Sequence, residues 1–213
     1  MDHAASNLLP VHLPDEAMTL LKVPVPIKVM GDGNCMFNAV STVLCGKIDL
    51  HGALRQRVSK ELIDSSSKYA GHPTLAAAAL AIGLDEVKVF PHILSMEVSH
   101  IWDKEKDEKR EDGMEWNPEA TKIVCIKAEG ERIGHMKKHG SFLSLLALAE
   151  VIQRPIWSLY PDDPNKFRPL YHQKITPTIV KFDIPIFILW STLSSQSGGM
   201  LNPDHFVPVV RIL

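Results

Sequence analysis

Cys35 ends the run Gly31-Asp32-Gly33-Asn34-Cys35 and opens an apolar one, Met36-Phe37-Asn38-Ala39-Val40. A junction of this kind is where a chain can make a thiol nucleophilic. Glycines at 31 and 33 permit backbone angles that a side chain would forbid, and they leave room beside the sulfur. Met36, Phe37, Ala39, Val40, Val43 and Leu44 recur at helical spacing, and Gly46 stands where a helix C-terminus is capped. The spacing predicts a helix over 35–45 with Cys35 in its first turn. Unpaired amides and the helix dipole at that position favour a thiolate, lowering a thiol pKa below its free value of about 8.5. A small core cysteine beside an apolar run is the bland alternative.

A nucleophilic thiol needs a base, which can lie far along the chain. In Asn202-Pro203-Asp204-His205-Phe206-Val207-Pro208-Val209-Val210 a histidine follows a turn-forming Asn-Pro and heads an apolar strand. A strand end facing a cleft is where a general base for a thiol is mounted.

The two segments together resemble the ovarian tumour (OTU) family of cysteine proteases, in its cysteine motif (Asp32 to Ser41) and its terminal histidine motif (His205 to Val210). Leu54-Arg55 matches the family's Leu-Arg pair on the next helix. Gly140-Ser141-Phe142-Leu143 through Ala147-Leu148-Ala149 matches its Gly-then-helix segment, followed by the strand Ile156–Tyr160. The stretch from Ala147 to Pro177, with Gln153-Arg154, Tyr160-Pro161 and Arg168-Pro169, is similar to the vertnin branch of OTU-like proteins. Relatives in that branch can lack the catalytic residues, whereas this chain has both a cysteine and a histidine in place.

The resemblance implies an α+β, papain-like or OTU-like cysteine protease fold, with helices packed around a small central sheet. It implies an N-terminal extension over 1–26 and a catalytic domain over 27–213, with a helical arm or insertion at about 72–120 that cradles a protein substrate. Carried over, it makes Cys35 the nucleophile, His205 the general base and Asp32 the holder of the oxyanion-hole loop. Gly31, Gly33, Asn34, His139 and Gly140 then line a channel for the narrow Gly-Gly end of ubiquitin. The implied activity is that of a deubiquitinase acting through an acyl-enzyme, with ubiquitin or polyubiquitin as partner and no metal or organic cofactor. The alternatives are a protease for another ubiquitin-like modifier and a catalytically weak ubiquitin-binding or interaction module. The chain departs from the family pattern at Val207, where many members carry an Asn or Asp that orients the imidazole. Asp15, Asp183, Ser191 and Thr192 remain open candidates for that role, while adjacent Asp204 should point to the other side of the strand.

The remaining composition sets bounds on partners and compartment. A length of 213 residues suits one domain with a full core. A net charge of −2 gives no reason to expect nucleic acid or an anionic membrane as partner. Three cysteines without paired spacing fit a reducing compartment, and Asp2-His3 does not begin a secretory signal, so a cytoplasmic or nuclear location is expected.

Further helices are expected over 15–21, 51–66, 74–84 and 85–101, and strands over 123–126, 156–159, 182–190 and 207–212. The mixed-charge run 103–112 reads as a solvated loop or helix end, or else as a substrate-facing arm. His135 and His139 stand four apart, but flanking Gly134 and Gly140 favour a loop over a metal-binding helix face. Cys45 and Cys125 are expected in the core, as are Trp157 and Trp190.

Overall fold

The computed structural model describes residues 1–10, 13–107, 115–162, 166–192 and 204–211. In chain order the elements are α1 (His3–Ser6), α2 (Asp15–Leu21), β1 (Pro24–Pro26), α3 (Cys35–Cys45), α4 (His51–Asp64), α5 (Ser66–Ala70) and α6 (Pro73–Ile82). There follow α7 (Glu86–Val89), a 3-10 turn at Phe90–Ile93, α8 (Met96–Asp107), α9 (Pro118–Gly134) and α10 (Phe142–Ile152). The chain ends in β2 (Ile156–Leu159), α11 (Arg168–Tyr171), β3 (Gln173–Ile175), β4 (Ile186–Ser191) and β5 (His205–Arg211). The fold is α+β, with helices packed around one small mixed sheet.

That sheet runs in the order β1-β5-β4-β2-β3, with β2 and β4 parallel and the other neighbours antiparallel. The prolines explain the edge. A residue without an N–H cannot donate to a ladder on both sides, and Pro24 and Pro26 sit in β1 at the sheet's margin. β4 is buried along its whole length, consistent with its unbroken apolar run Ile186-Phe187-Ile188-Leu189-Trp190. Helix α3 packs against β5 and β4, while α4, α9 and α10 pack on one another. Leu54, Val58 and Leu62, four apart on α4, are all buried, as their spacing predicts.

Several elements differ from the sequence expectation. Ile123 to Ile126 is not a strand but the middle of α9, whose N-terminus Asn117 caps with bonds to the amides of Glu119 and Ala120. A four-residue apolar run is ambiguous between the two structures, and the cap decides it. The helix expected over 85–101 is broken into α7, a 3-10 turn containing Pro91, and α8, because proline cannot continue an α-helical ladder. β4 starts after Pro185 rather than at Phe182. The charged run begins within the last turns of α8, and its positions 108–112 lie outside the described residues.

Candidate active site

The cysteine loop is built on Asp32. Its carboxylate accepts the backbone N–H of Asn34 at 3.0 Å, the Asn34 amide at 3.0 Å and the Asn38 amide at 3.3 Å. Burial opposes its ionisation, but the Asn34 bonds outweigh it and hold the carboxyl below the usual range. Gly33 takes φ +79°, which turns the chain into α3. Cys35 is the first residue of that helix, and Gly46 in the left-handed region closes its far end.

A second loop, residues 135–140 between α9 and α10, lies across this turn. Arg55 of α4, fully buried, binds the two together. Its Nη2 donates to Gly33 O at 2.8 Å, Asn34 Oδ1 at 2.9 Å and Lys138 O at 2.9 Å. Its Nη1 donates to Ile133 O at 2.7 Å and His135 O at 2.8 Å. The planar fork of a guanidinium suits five acceptors arranged in this way, and a lysine could not span them. Asn34 Oδ1 also accepts the N–H of Lys137 at 3.3 Å. Lys137 itself has φ +65°, and its carbonyl sits so close to Gly33 that a Cβ there would lie 2.1 Å from the oxygen. Buried Glu129 and Arg132 of α9 brace the loop from behind, Arg132 bonding Glu129 at 2.6 Å and His139 O at 2.7 Å.

His205 begins β5, opposite Ser191 of β4. The packing of α3 on β5 sets the Cys35 thiol near the backbone of Phe206, the residue after His205. Cys35 is 0% exposed and His205 2%. Among the described residues neither ring nitrogen of His205 has a hydrogen-bond partner, so no bond joins ring and thiol. Burial pushes the Cys35 thiol up to about 11, against the opposing pull of the Phe206 and Met36 amides. This corrects the expectation of a thiolate at rest: desolvation of the sulfur outweighs the helix terminus. Burial also lowers the His205 pKa, partly offset by the charges of Asp2, Asp204 and Asp32, so the imidazole is neutral at neutral pH.

The site residues named from sequence fall in two groups. Asp32, Gly33, Asn34, Cys35 and His205 converge at the start of α3. His139 acts electrostatically on His205 from the 135–140 loop, and Gly140 packs on Met36, where a Cβ would lie 2.5 Å from its Cε. Gly31 is exposed ahead of the turn. Val207 is buried opposite Leu189. Of the candidates for an orienting group, Ser191 is the cross-strand neighbour of His205, whereas Asp183 acts on Arg154 and Asp15 opens α2. Cys125 is buried as expected, but Cys45 is exposed at the end of α3. Trp190 is buried and Trp157 half-buried, its Nε1 donating to Glu16 at 2.7 Å. The Arg55 clamp and the Glu129–Arg132 brace were not read from sequence. Leu54-Arg55 marked the first only as a motif, and the second was hidden by reading 123–126 as a strand.

A buried cysteine opening a helix, a histidine opening the strand on which that helix packs and a small mixed sheet behind them suit an OTU-like domain. The family described as "Vertnin, OTU domain" matches residues 26–191, and the chain belongs to it. Vertnin of Danio rerio is 26% identical over 198 residues, covering 88% of this chain and 25% of that protein. Vertnin of Bos taurus is 24% identical over 218 residues, covering 100% and 28%. The chain thus spans about a quarter of the length of the curated relatives it matches. Among solved structures, the OTUD1 OTU domain is similar with a TM-score of 0.40 and 13% identity, covering 88% of this chain and 86% of that one. The viral OTU domain protease from Farallon virus is similar with a TM-score of 0.43 and 15% identity, covering 89% and 85%.

Proposed function

We propose that the domain is a cysteine-dependent deubiquitinase that hydrolyses the isopeptide bond at a ubiquitin C-terminus. The observation that carries this reading is the packing of β5, which His205 begins, against α3, which Cys35 begins, with both side chains buried. Both groups are neutral at rest, which suits general-base catalysis rather than a preformed ion pair. In the proposed reaction His205 takes the thiol proton as the sulfur attacks the carbonyl carbon. The negative charge that forms on the oxygen is met by backbone N–H groups of the cysteine loop other than that of Asn34, which Asp32 accepts as it holds the loop in shape. His205 then protonates the leaving lysine amine, and water activated by the same ring hydrolyses the thioester. Gly31, Gly33, Asn34, His139 and Gly140 are proposed to border the channel for the substrate tail.

A second reading, a ubiquitin-binding module with weak catalysis, draws support from one specific feature. Thiol and imidazole are buried and unbonded to each other, and the position two residues after the histidine is apolar Val207. Reaction with ubiquitin bearing a thiol-reactive C-terminal group, read by intact mass, separates the two. A single-ubiquitin adduct that disappears in Cys35→Ala is expected. Ubiquitin binding without an adduct, from folded protein, supports the module instead. An adduct formed only with another modifier's probe reassigns the substrate.

A further inference from the structure

At the C-terminal end of α3, about 15 Å along the helix from Cys35, the surface changes character. A groove of about 460 Å³ opens between α3, α4, the end of α10 and the segment before β4. It is lined by Leu44, Leu50, Ala53, Leu54, Val151, Ile152 and Phe182, together with two arginines, Arg57 and Arg154. Its wall is fixed rather than loose: Lys181 and Phe182 donate their N–H groups to Gln153 O, and Arg154 Nε donates to Ile184 O. Yet the segment 179–184 leaves Ile179, Val180, Phe182 and Ile184 between 44% and 61% exposed. A domain does not present that density of large apolar side chains to water without a cover.

The charge around the groove says what kind of cover. None of its lining residues is acidic. Arg57 makes no ion pair among the described residues, and Arg154 meets acid only at longer range, from Asp183 on the flank. Elsewhere on the fold some cations are already engaged, as Lys68 is with Glu150 at 3.0 Å and Lys174 with Glu16 at 2.8 Å. We propose that this groove docks an acidic amphipathic helix of a partner protein, whose apolar face fills it and whose carboxylates meet Arg57 and Arg154. Apolar anchors at i, i+3 or i+4, and i+7 are how a helix occupies an apolar groove of this kind. The groove lies at the opposite end of α3 from the thiol and does not depend on the proposed catalysis.

The test uses a helical synthetic peptide with Leu anchors at that spacing and Glu elsewhere, and a twin with Lys replacing Glu. Both are titrated into the whole chain by fluorescence anisotropy at low and at physiological ionic strength. The acidic peptide is expected to bind and the basic twin not. Arg57→Glu is expected to weaken binding about tenfold or more, and Phe182→Ser to abolish it, both variants keeping the parental melting temperature. Equal binding of the twins, or none of either, overturns the proposal. So does self-association of the free chain that Phe182→Ser removes, which assigns the face to a second copy. Binding to phosphatidylserine vesicles in place of the peptide also overturns it.

Discussion

The two ends of α3 are the same helix in opposite surroundings. At its start, polar groups are packed inward and mostly bonded: Asp32 holds Asn34, Asn34 holds Arg55, and the three bond six backbone groups. Arg55 Nε, Asn38 Oδ1 and the His205 ring stay without a partner among the described residues, and the loop 135–140 is drawn tight over them. At its end, apolar groups are exposed and two arginines stand at an open groove. Buried polar groups cost stability unless bonded, so the first end must be assembled as a unit. The second carries no such demand, and its residues are free to serve a surface. The two ends should therefore differ sharply in their response to substitution.

The largest effect is expected at Arg55. Arg55→Ala takes the guanidinium from five oxygen acceptors, three of them in fully buried bonds, for a loss of at least about 3 kcal/mol. Arg55→Lys retains the charge but not the fork, and should recover only part of that loss. Urea unfolding of the three proteins measures this. A loss below 1 kcal/mol in the alanine variant (roughly the worth of one ordinary hydrogen bond) would show that the clamp does not hold the two loops together.

Gly33→Ala comes next. The left-handed φ of +79° and the Lys137 oxygen 2.1 Å from the new Cβ act together, so about 2–4 kcal/mol should be lost. The 135–140 loop must also shift, which amide exchange at Lys137 and Lys138 would report.

How much of this contrast was legible beforehand depends on sequence range. The helix from Cys35 to its Gly46 cap follows from 3.6-residue periodicity and a local glycine, and both appear where expected. The burial of the thiol does not, because it comes from β5, which lies about 170 residues away. Arg55 is visible as half of a motif, but three of its five partners lie 78 to 83 residues further on, at the end of α9 and in a loop whose left-handed residue is a lysine rather than a glycine. The exposed segment 179–184 looked like part of a strand because its apolar residues continue into β4. Pro185 separates the two, and nothing local says that one half is buried and the other is not.

Acid should weaken the buried interior before it affects the groove. Burial lowers the pKa values of His72, His172 and His205. Below the unfolded histidine value of about 6.5 the unfolded chain binds more protons than the folded one, so stability falls as pH falls. The loss begins near that value and is complete once pH has passed below each depressed folded value. Chemical denaturation from pH 8 to pH 5 (roughly the span that brackets a histidine titration) should show a monotonic decline. His205→Gln should reduce its steepness, and a flat profile would show that these rings do not titrate differently on folding.

Gly46→Ala isolates the backbone term that Gly33→Ala combines with a collision. Its φ is +73°, but no atom lies within 4 Å of the position a Cβ would take. Only the left-handed conformation is penalised, at about 1 kcal/mol. If the two glycine variants lose equal stability, the Lys137 carbonyl contact contributes nothing and the tightness of the first end has been overstated.

The smallest effect is expected at Phe182. At 61% exposure its ring loses little contact when replaced, so Phe182→Ser should change stability by no more than about 0.5 kcal/mol. The same substitution removes the largest apolar surface at the groove's rim, so binding there should respond while folding does not. A Phe182→Ser variant that unfolds would place this residue in the core's energetics and remove the distinction between the two ends. One that melts normally yet loses the acidic peptide would separate folding at one end of α3 from recognition at the other.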